Sequence, residues 1–377
     1  MIYFDNASST RPLKECLDAF YVSSSESFYN PNSIHAPAMK LFNEINRIKE
    51  NFLKKLKLDS TYEVIFTSGA SESNNLAILG YALKNRNRGN KVITSKIEHE
   101  SVLEVFKYLE KIGFNVTYLN VNQNGEIDID EFKEAIDKNT ILVSIMGVNN
   151  EVGNVLNIKE IKEEIKAYPK CVLHSDLAQT LGKEKFDFSL LDMFTISAHK
   201  IYGIKGIGAL IKKKKVMLEP LIHGGGQENG LRSGTLDYPS IVSFNVSLNY
   251  TIDHFEENYK KVKDLQTYLL NELSKIDEVS INNFKNSCPY IANFSLKRKK
   301  ASVVVEALSN KEIYVSSVSA CNSKKEGASY VLLALNKSES DAHNSIRLSL
   351  SKDNTLEECK IFIETLKEIL EKIRGKL

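Results

Sequence analysis

The 377-residue chain is 42% hydrophobic and 26% charged, ordinary proportions for a globular protein long enough to build two cores. Its 50 basic and 48 acidic residues leave a net charge of +2, which gives no electrostatic reason to expect nucleic acid as a ligand. No apolar run approaches the ~18 residues a membrane helix needs, and the first residues lack the basic and apolar regions of a signal peptide. Five cysteines without Cys-x-x-Cys or zinc spacing point to reduced thiols in a cytoplasm and to no metal centre.

In chain order, Asp5-Asn6-Ala7-Ser8-Ser9-Thr10-Arg11-Pro12 is a polar turn, and Tyr29-Asn30-Pro31-Asn32-Ser33-Ile34-His35 is another turn cluster. Residues 36–56 carry apolar side chains at helical spacing, with Met39, Phe42, Ile45 and Ile48 on the expected inner face. Residues 62–67 read as a strand. Ser68-Gly69-Ala70-Ser71-Glu72-Ser73-Asn74-Asn75 turns that strand into a helix whose buried face is marked by Leu76, Leu79 and Leu83. A strand, a small-residue turn and a helix amino terminus together favour an anion, through free N–H groups and the helix dipole. Plain capping is the alternative, although a capping box opened by Ser68 wants its acid at Ser71, one residue before Glu72.

Residues 91–95 form a second strand, followed by Glu98-His99-Glu100-Ser101 and a helix with Val102, Phe106 and Leu109 on one face. His99 suits either a helix cap or a proton carrier near neutral pH. Strands at 115–121 and 140–146 flank a short helix at 129–136, and Asn149-Asn150-Glu151-Val152-Gly153 makes a polar turn. This alternation predicts an α/β fold with a mostly parallel sheet and helices on both faces.

Cys171-Val172-Leu173 leads into His174-Ser175-Asp176-Leu177-Ala178-Gln179, and a strand at 192–196 releases Ser197-Ala198-His199-Lys200 into a glycine-rich turn. In α/β proteins, chemistry sits at the carboxyl ends of strands. A lysine and an aspartate at neighbouring strand ends suggest a pyridoxal 5'-phosphate (PLP) site. The lysine forms a Schiff base with the cofactor, and the carboxylate keeps the pyridine nitrogen protonated.

Residues 207–211 are expected to close the sheet, and Lys212-Lys213-Lys214-Lys215 reads as a solvated loop. Residues 223–235 are glycine-rich and polar. From Tyr238 a helical pattern through Leu265, Leu269, Leu270 and Leu273 leads into a smaller α/β domain. Its strands are expected at 279–281, 293–296 and 345–349, and its helices at 302–308 and 357–373. The expected division is an amino-terminal segment at 1–15 packing with the small domain, a large domain at 16–250 and a small domain at 251–377. Cys321 lies among serines and lysines, which suits an exposed thiol in an electropositive setting, although a lone cysteine is more often a small buried hydrophobe.

These motifs, spread over nearly the whole chain, resemble the class V aminotransferases and, within them, the NifS/IscS-like cysteine desulfurases. Ser197-Ala198-His199-Lys200 is similar to the family's Ser-Gly-His-Lys, and residues 68–73 to its Ser-Gly-Ala-Thr-Glu-Ser, with Ser71 keeping the hydroxyl. Residues 149–153 resemble its Asn-Asn-Glu-x-Gly, residues 224–235 its Gly-Gly-Gly-Gln-Glu-x-Gly-x-Arg-Ser-Gly-Thr, and residues 316–321 its Ser-Ser-Gly-Ser-Ala-Cys. Gly147, Asn229, Val318 and Ala328 depart from the family's histidine, arginine, glycine and proline.

The resemblance implies a fold-type I PLP-dependent transferase acting as a homodimer. It implies removal of sulfur from L-cysteine, giving L-alanine and a Cys321 persulfide for a sulfur acceptor, an iron–sulfur scaffold or a tRNA-thiolation enzyme. Ala70, Ser71, Ser197 and His199 are then expected at the cofactor phosphate, and Thr235 at the phosphate of the partner subunit's cofactor. Asp176 is expected at the pyridine nitrogen, Asn150 and Gln179 at the phenolic oxygen, and His99 stacked on the ring and assisting proton transfer. Lys200 binds the aldehyde carbon, and Arg347, with Asn150, takes the substrate carboxylate through a guanidinium suited to bidentate contact. A selenocysteine lyase-like class V enzyme, needing Cys321 less strictly, and a sulfur-pathway scaffold of weak turnover remain as alternatives.

Overall fold

The protein is represented by a computed structural model that describes residues 1–122, 124–317 and 327–374. Val318 and Cys321 lie outside the described residues. β1 (Ile2–Tyr3) is followed by α1 (Lys14–Glu26) and α2 (Ala36–Lys55). The His35 ring caps α2 by accepting the Ala38 N–H, and Pro37 sits in the first turn, where no N–H is needed. β2 (Tyr62–Thr67) then runs into α3 (Ala70–Asn75), a π-helical segment at Leu76–Gly80 and α4 (Tyr81–Lys84).

Three strand–helix units follow: β3 (Lys91–Ser95) with α5 (Glu100–Lys111), β4 (Asn115–Leu119) with α6 (Ile129–Ala135), and β5 (Thr140–Ser144) with α7 (Ile158–Ile165). β6 (Val172–Asp176), β7 (Met193–Ser197) and β8 (Gly208–Lys213) complete a seven-stranded sheet of order β2-β8-β7-β6-β5-β3-β4. β8 is antiparallel to both its neighbours, and every other pairing is parallel. It therefore does not close the sheet as expected, but lies one place in from the edge strand β2.

α8 (Tyr238–Asp253) and α9 (Phe255–Leu273) lead to a second sheet, breaking the long helical pattern at His254. That sheet comprises β9 (Val279–Ile281), β10 (Ile291–Leu296), β12 (Ser316–Ser317) and β13 (Ser345–Ser349), antiparallel in the order β12-β13-β10-β9. Between these strands lie α10 (Ala301–Ser309), β11 (Ile313–Tyr314), α11 (Tyr330–Ala334) and α12 (Glu339–His343), and α13 (Leu356–Arg374) follows. β1 pairs in parallel with β11, so Ile2 and Phe4 join the apolar cluster of Leu269, Phe294, Ile346 and Phe362.

Both faces of the large sheet are covered. Phe52, Phe132, Ile161 and Phe244 cluster on one, and Ile78, Tyr81, Val102 and Phe106 on the other. Burial from both sides explains why β5 and β7 read as mostly apolar runs instead of alternating.

Three local expectations are corrected. In α2 the inner face is Leu41, Ile45, Ile48 and Phe52, while Met39 and Phe42 are exposed. The π segment changes the pitch of the helix after β2. Ala77, Ile78, Tyr81 and Ala82 therefore turn inward with Leu76, and Leu83 is exposed. The basic run is only half solvated, because Lys212 is buried and paired with Glu63 at 2.5 Å, and Lys213 pairs with Asp192 at 2.9 Å.

Phe52 joins α2 to the sheet and to α8, with ring centroids 5.5 Å from Phe66 and 5.0 Å from Phe244. Phe52→Ala should lower unfolding stability by about 3–5 kcal/mol. An unfolding free energy from denaturant titration within about 1 kcal/mol of wild type would show that this packing is dispensable.

Candidate active site

A cavity of about 470 Å³ opens where the loops after β5, β6 and β7 meet the start of α3, the start of α5 and Arg347 of β13. Its size suits a cofactor and a small substrate. Ala70, Ser71, His99, Asn150, Asp176, Gln179, Ser197, His199, Lys200 and Arg347 all line it. Thr235 does not; it is exposed in the segment before α8.

At one end, Gly69 links β2 to α3 with φ of 153°, a backbone that L side chains rarely adopt. Glu72 accepts the Ser68 N–H at 2.7 Å and pairs with Arg232 at 2.9 Å. Since Gly69 is the cap, Glu72 is the third helical residue, and the capping acid is in register one position later than a Ser68 box would require. Burial raises the Glu72 pKa, but the bonds from Arg232 and Ser68 outweigh it and hold the carboxyl below its ordinary range. Burial, with Lys200, Lys183 and Lys205 adding, pulls His199 down to about 4, so at neutral pH it offers hydrogen bonds and no charge.

At the other end, the Asp176 carboxylate is gripped from two sides. Asn74 Nδ2 donates to it at 2.7 Å and the Ala178 N–H at 2.9 Å. The same Asn74 nitrogen donates to Ser101 Oγ at 2.9 Å, and Ser101 Oγ lies 2.9 Å from Nδ1 of His99. The His99 ring also accepts the Ser101 N–H as the cap of α5. It is thus both a cap and a cavity residue.

Lys200 stands on the short turn after β7, and its Nζ donates to the carbonyls of Ala7 at 2.7 Å and Ser8 at 2.9 Å. Gln179 Nε2 donates to the same Ala7 oxygen at 2.9 Å. Arg347 is 3% exposed; its Nη2 donates to Asp5 and to Ser8 Oγ at 2.8 and 2.9 Å, and its Nη1 to the carbonyl of Asn150 at 2.9 Å. Residues 5–8 therefore gather donors from the large sheet and from β13.

The chain matches the "Aminotransferase class-V" family over residues 2–362. It is 38% identical to a cysteine desulfurase IscS of Dictyoglomus turgidum, over 99% of this chain and 95% of that protein. It is 37% identical to cysteine desulfurase IscS 1 of Archaeoglobus fulgidus, over 100% and 98%. Among solved structures, a NifS-like protein superposes with a TM-score of 0.92 at 34% identity, covering 98% of this chain and 99% of that one. A structure titled SspA in complex with cysteine superposes with a TM-score of 0.82 at 36% identity, covering 94% and 100%.

The chain belongs to the class V aminotransferases, among the NifS/IscS-like cysteine desulfurases. Members of this family are PLP-dependent enzymes. The cavity fits that cofactor on an observation of its own: Ser197 Oγ, Asn150 Oδ1 and Arg347 Nε are buried at its wall without a hydrogen-bond partner among the described residues. Buried polar atoms are seldom left so, and a polar ligand would satisfy them.

Departures from the class V pattern can be placed. A Cβ on Gly147 would lie 2.4 Å from Thr180 Oγ1 and 2.8 Å from Leu177 Cδ2, so a side chain there would push the turn carrying Gln179. Asn229 adopts a left-handed backbone, φ 56°, which asparagine tolerates well, and donates to Glu63 at 2.9 Å. Ala328 precedes Ser329, whose hydroxyl caps α11 and donates to Glu151 at 2.5 Å.

Several working residues have no role in the sequence reading: Asn74 and Ser101, Asp5 and the Ala7 and Ser8 carbonyls, and Glu98. The available signal was a polar residue on a helix face that must be buried, as at Asn74. Burial pushes Glu98 up to about 8; bonds from Ser95 and the Met146 N–H oppose this, and Asp176 adds to it. Between pH 4.5 and about 8 the unfolded chain ionises this group while the folded protein keeps it protonated. Stability therefore falls with rising pH across that window. Glu98→Gln, neutral throughout, should gain melting temperature on wild type from about pH 5 to about pH 8. Parallel melting temperatures over that range would contradict the assignment.

Proposed function

We propose that this chain is a PLP-dependent cysteine desulfurase, working as a homodimer and passing sulfur from L-cysteine through Cys321 to an acceptor protein. The observation that carries the reading is the convergence of Lys200, Asp176 and Arg347 on one cavity. A reactive amine, a fixed carboxylate and a carboxylate-binding guanidinium are the minimum set for PLP chemistry on an amino acid. A relative solved with cysteine supports the substrate.

In this reading Ala70, Ser71, Ser197 and His199 hold the phosphate, Asn150 and Gln179 the phenolic oxygen, and Asp176 the pyridine nitrogen. The bound cofactor supplies an electron sink that stabilises negative charge at the substrate Cα. Arg347, with Asn150, binds the substrate carboxylate. Lys200 Nζ removes the Cα proton and returns it, and His99 beside the ring assists proton transfer. The Cys321 thiolate takes the substrate sulfur: a sulfur–sulfur bond forms, the carbon–sulfur bond breaks with its electron pair left on the substrate Cβ, Cβ takes up a proton, and L-alanine departs, leaving a Cys321 persulfide.

The second subunit is supported by surface chemistry. Leu17, Tyr21, Phe28, Ile34, Met39 and Phe42 are all exposed in the first 42 residues, a concentration of large apolar side chains that a second subunit would cover. Thr235, exposed on its own subunit, is assigned to the partner's phosphate. We assign residues 16–250 to the cofactor domain, 251–377 to the small domain carrying Cys321 and Arg347, and 1–15 to an amino-terminal segment packing with the small domain. Among the described residues no helix is long and apolar enough to cross a membrane. Cys16, Cys171, Cys288 and Cys359 are buried and unpaired, which supports a cytoplasmic setting. The acceptor is an iron–sulfur scaffold or a tRNA-thiolation enzyme, and no direct nucleic-acid contact is invoked.

The test is sulfide release from L-cysteine by the PLP-loaded protein with a reductant, beside Cys321→Ala. Wild type should release sulfide and the variant should fall to background; a silent wild type would overturn the reading. Arg347→Lys should raise KM for L-cysteine roughly 10–100-fold, the equivalent of one or two charge-assisted hydrogen bonds. An unchanged KM would remove Arg347 from the substrate site.

A further inference from the structure

The turn after β6 brings a second lysine to the site from behind. Lys183 is 6% exposed, and its Nζ donates to Gln179 Oε1 at 2.5 Å. Its backbone is pinned on both sides, its N–H bonding Thr180 O at 3.0 Å and its carbonyl accepting from Cys288 Sγ. In its ammonium form Lys183 has donors and no acceptor, and that form takes only the oxygen end of the Gln179 amide. The opposite end, Nε2, therefore points to the Ala7 carbonyl, which also accepts from Lys200. The relay runs from Lys183 through Gln179 and Ala7 to Lys200.

We propose that Lys183 is a positioning residue for the cofactor, locking the Gln179 amide with its donor end toward the cavity. This rests on the reading of Gln179 as the donor to the cofactor's phenolic oxygen. A lysine is a costly way to fill a core, because a buried ammonium loses its hydration. The groups around Lys183 deepen that cost: Lys200 and Arg347 repel its charge and it lies near His199, while the neutral Gln179 oxygen accepts from it. Burial accordingly brings its pKa down to about 7, well below an ordinary lysine. An apolar side chain of equal length would pack there without these costs. What it could not do is hold the glutamine oxygen, and without that bond the amide is free to turn its acceptor toward the cofactor oxygen.

The experiment compares PLP-loaded wild type, Lys183→Met, Gln179→Ala and the double variant. The readouts are the visible absorption maximum of bound PLP and the rate at which PLP is lost into cofactor-free buffer. Lys183→Met should shift the maximum in the same direction as Gln179→Ala and speed PLP loss about three- to tenfold. In the double variant it should add nothing to Gln179→Ala, because both act through one amide. If Lys183→Met shifts nothing while Gln179→Ala does, or if the two effects add in the double variant, Lys183 is a packing residue and the proposal fails. If neither single variant shifts the maximum, the reading of Gln179 fails and takes the proposal with it. Should Lys183→Met not fold, Lys183→Gln replaces it under the same outcomes.

Discussion

The carbonyl oxygen of Ala7 accepts from two residues of the cofactor cavity at once, Gln179 and Lys200, and the next three-dimensional neighbours repeat the pattern. Ser8 takes Lys200 through its carbonyl and Arg347 through its hydroxyl, and Asp5 takes Arg347 through its carboxylate. The constraint behind this is simple. Lys183, Lys200 and Arg347 crowd cationic donors into one low-dielectric region, and each unpaired charge there would cost several kcal/mol. Three residues near the amino terminus, Asp5, Ala7 and Ser8, provide acceptors for Lys200 and Arg347, and in doing so they tie β13 to the large sheet.

On the opposite wall the same logic runs with the signs reversed. Asp176, the carboxylate proposed for the cofactor ring, is held by neutral donors, Asn74 Nδ2 and the Ala178 N–H. A cationic partner would have satisfied its charge and left little for a pyridine nitrogen. Glu98 lies deeper, and burial keeps it protonated at neutral pH, so it does not add a second negative charge next to Asp176. Dipoles fixed in advance need no reorganisation when charge develops on a ligand.

Much of this was legible in the residues themselves. Strands buried on both faces announce themselves as apolar runs, and the turns that follow them put Asp176 and Lys200 at neighbouring ends. What periodicity could not show was phase. Leu83 belongs to the inner face only of an uninterrupted α-helix, and the π segment at Leu76–Gly80 rotates it outward. Met39 and Phe42 satisfy the same spacing rule as Leu41 and Ile45, and a single chain gives no reason to prefer core over an exposed apolar face. Lys212 looked solvated because its neutralising partner, Glu63, is distant in sequence and adjacent only through the β2–β8 pairing. Asn74 was hidden for the same reason, its partner Asp176 being 102 positions away.

The bond between Arg347 and Asp5 spans 342 positions, and β1 has no partner until β11 exists. During synthesis at about 5–20 residues per second, the first eight residues therefore wait on the order of tens of seconds before the groups they serve have left the ribosome. The large sheet can form in that interval, but Lys200 cannot be framed by both of its walls. The cavity around Lys200 is thus complete only once β13 has been made, and until then its Arg347 wall is missing.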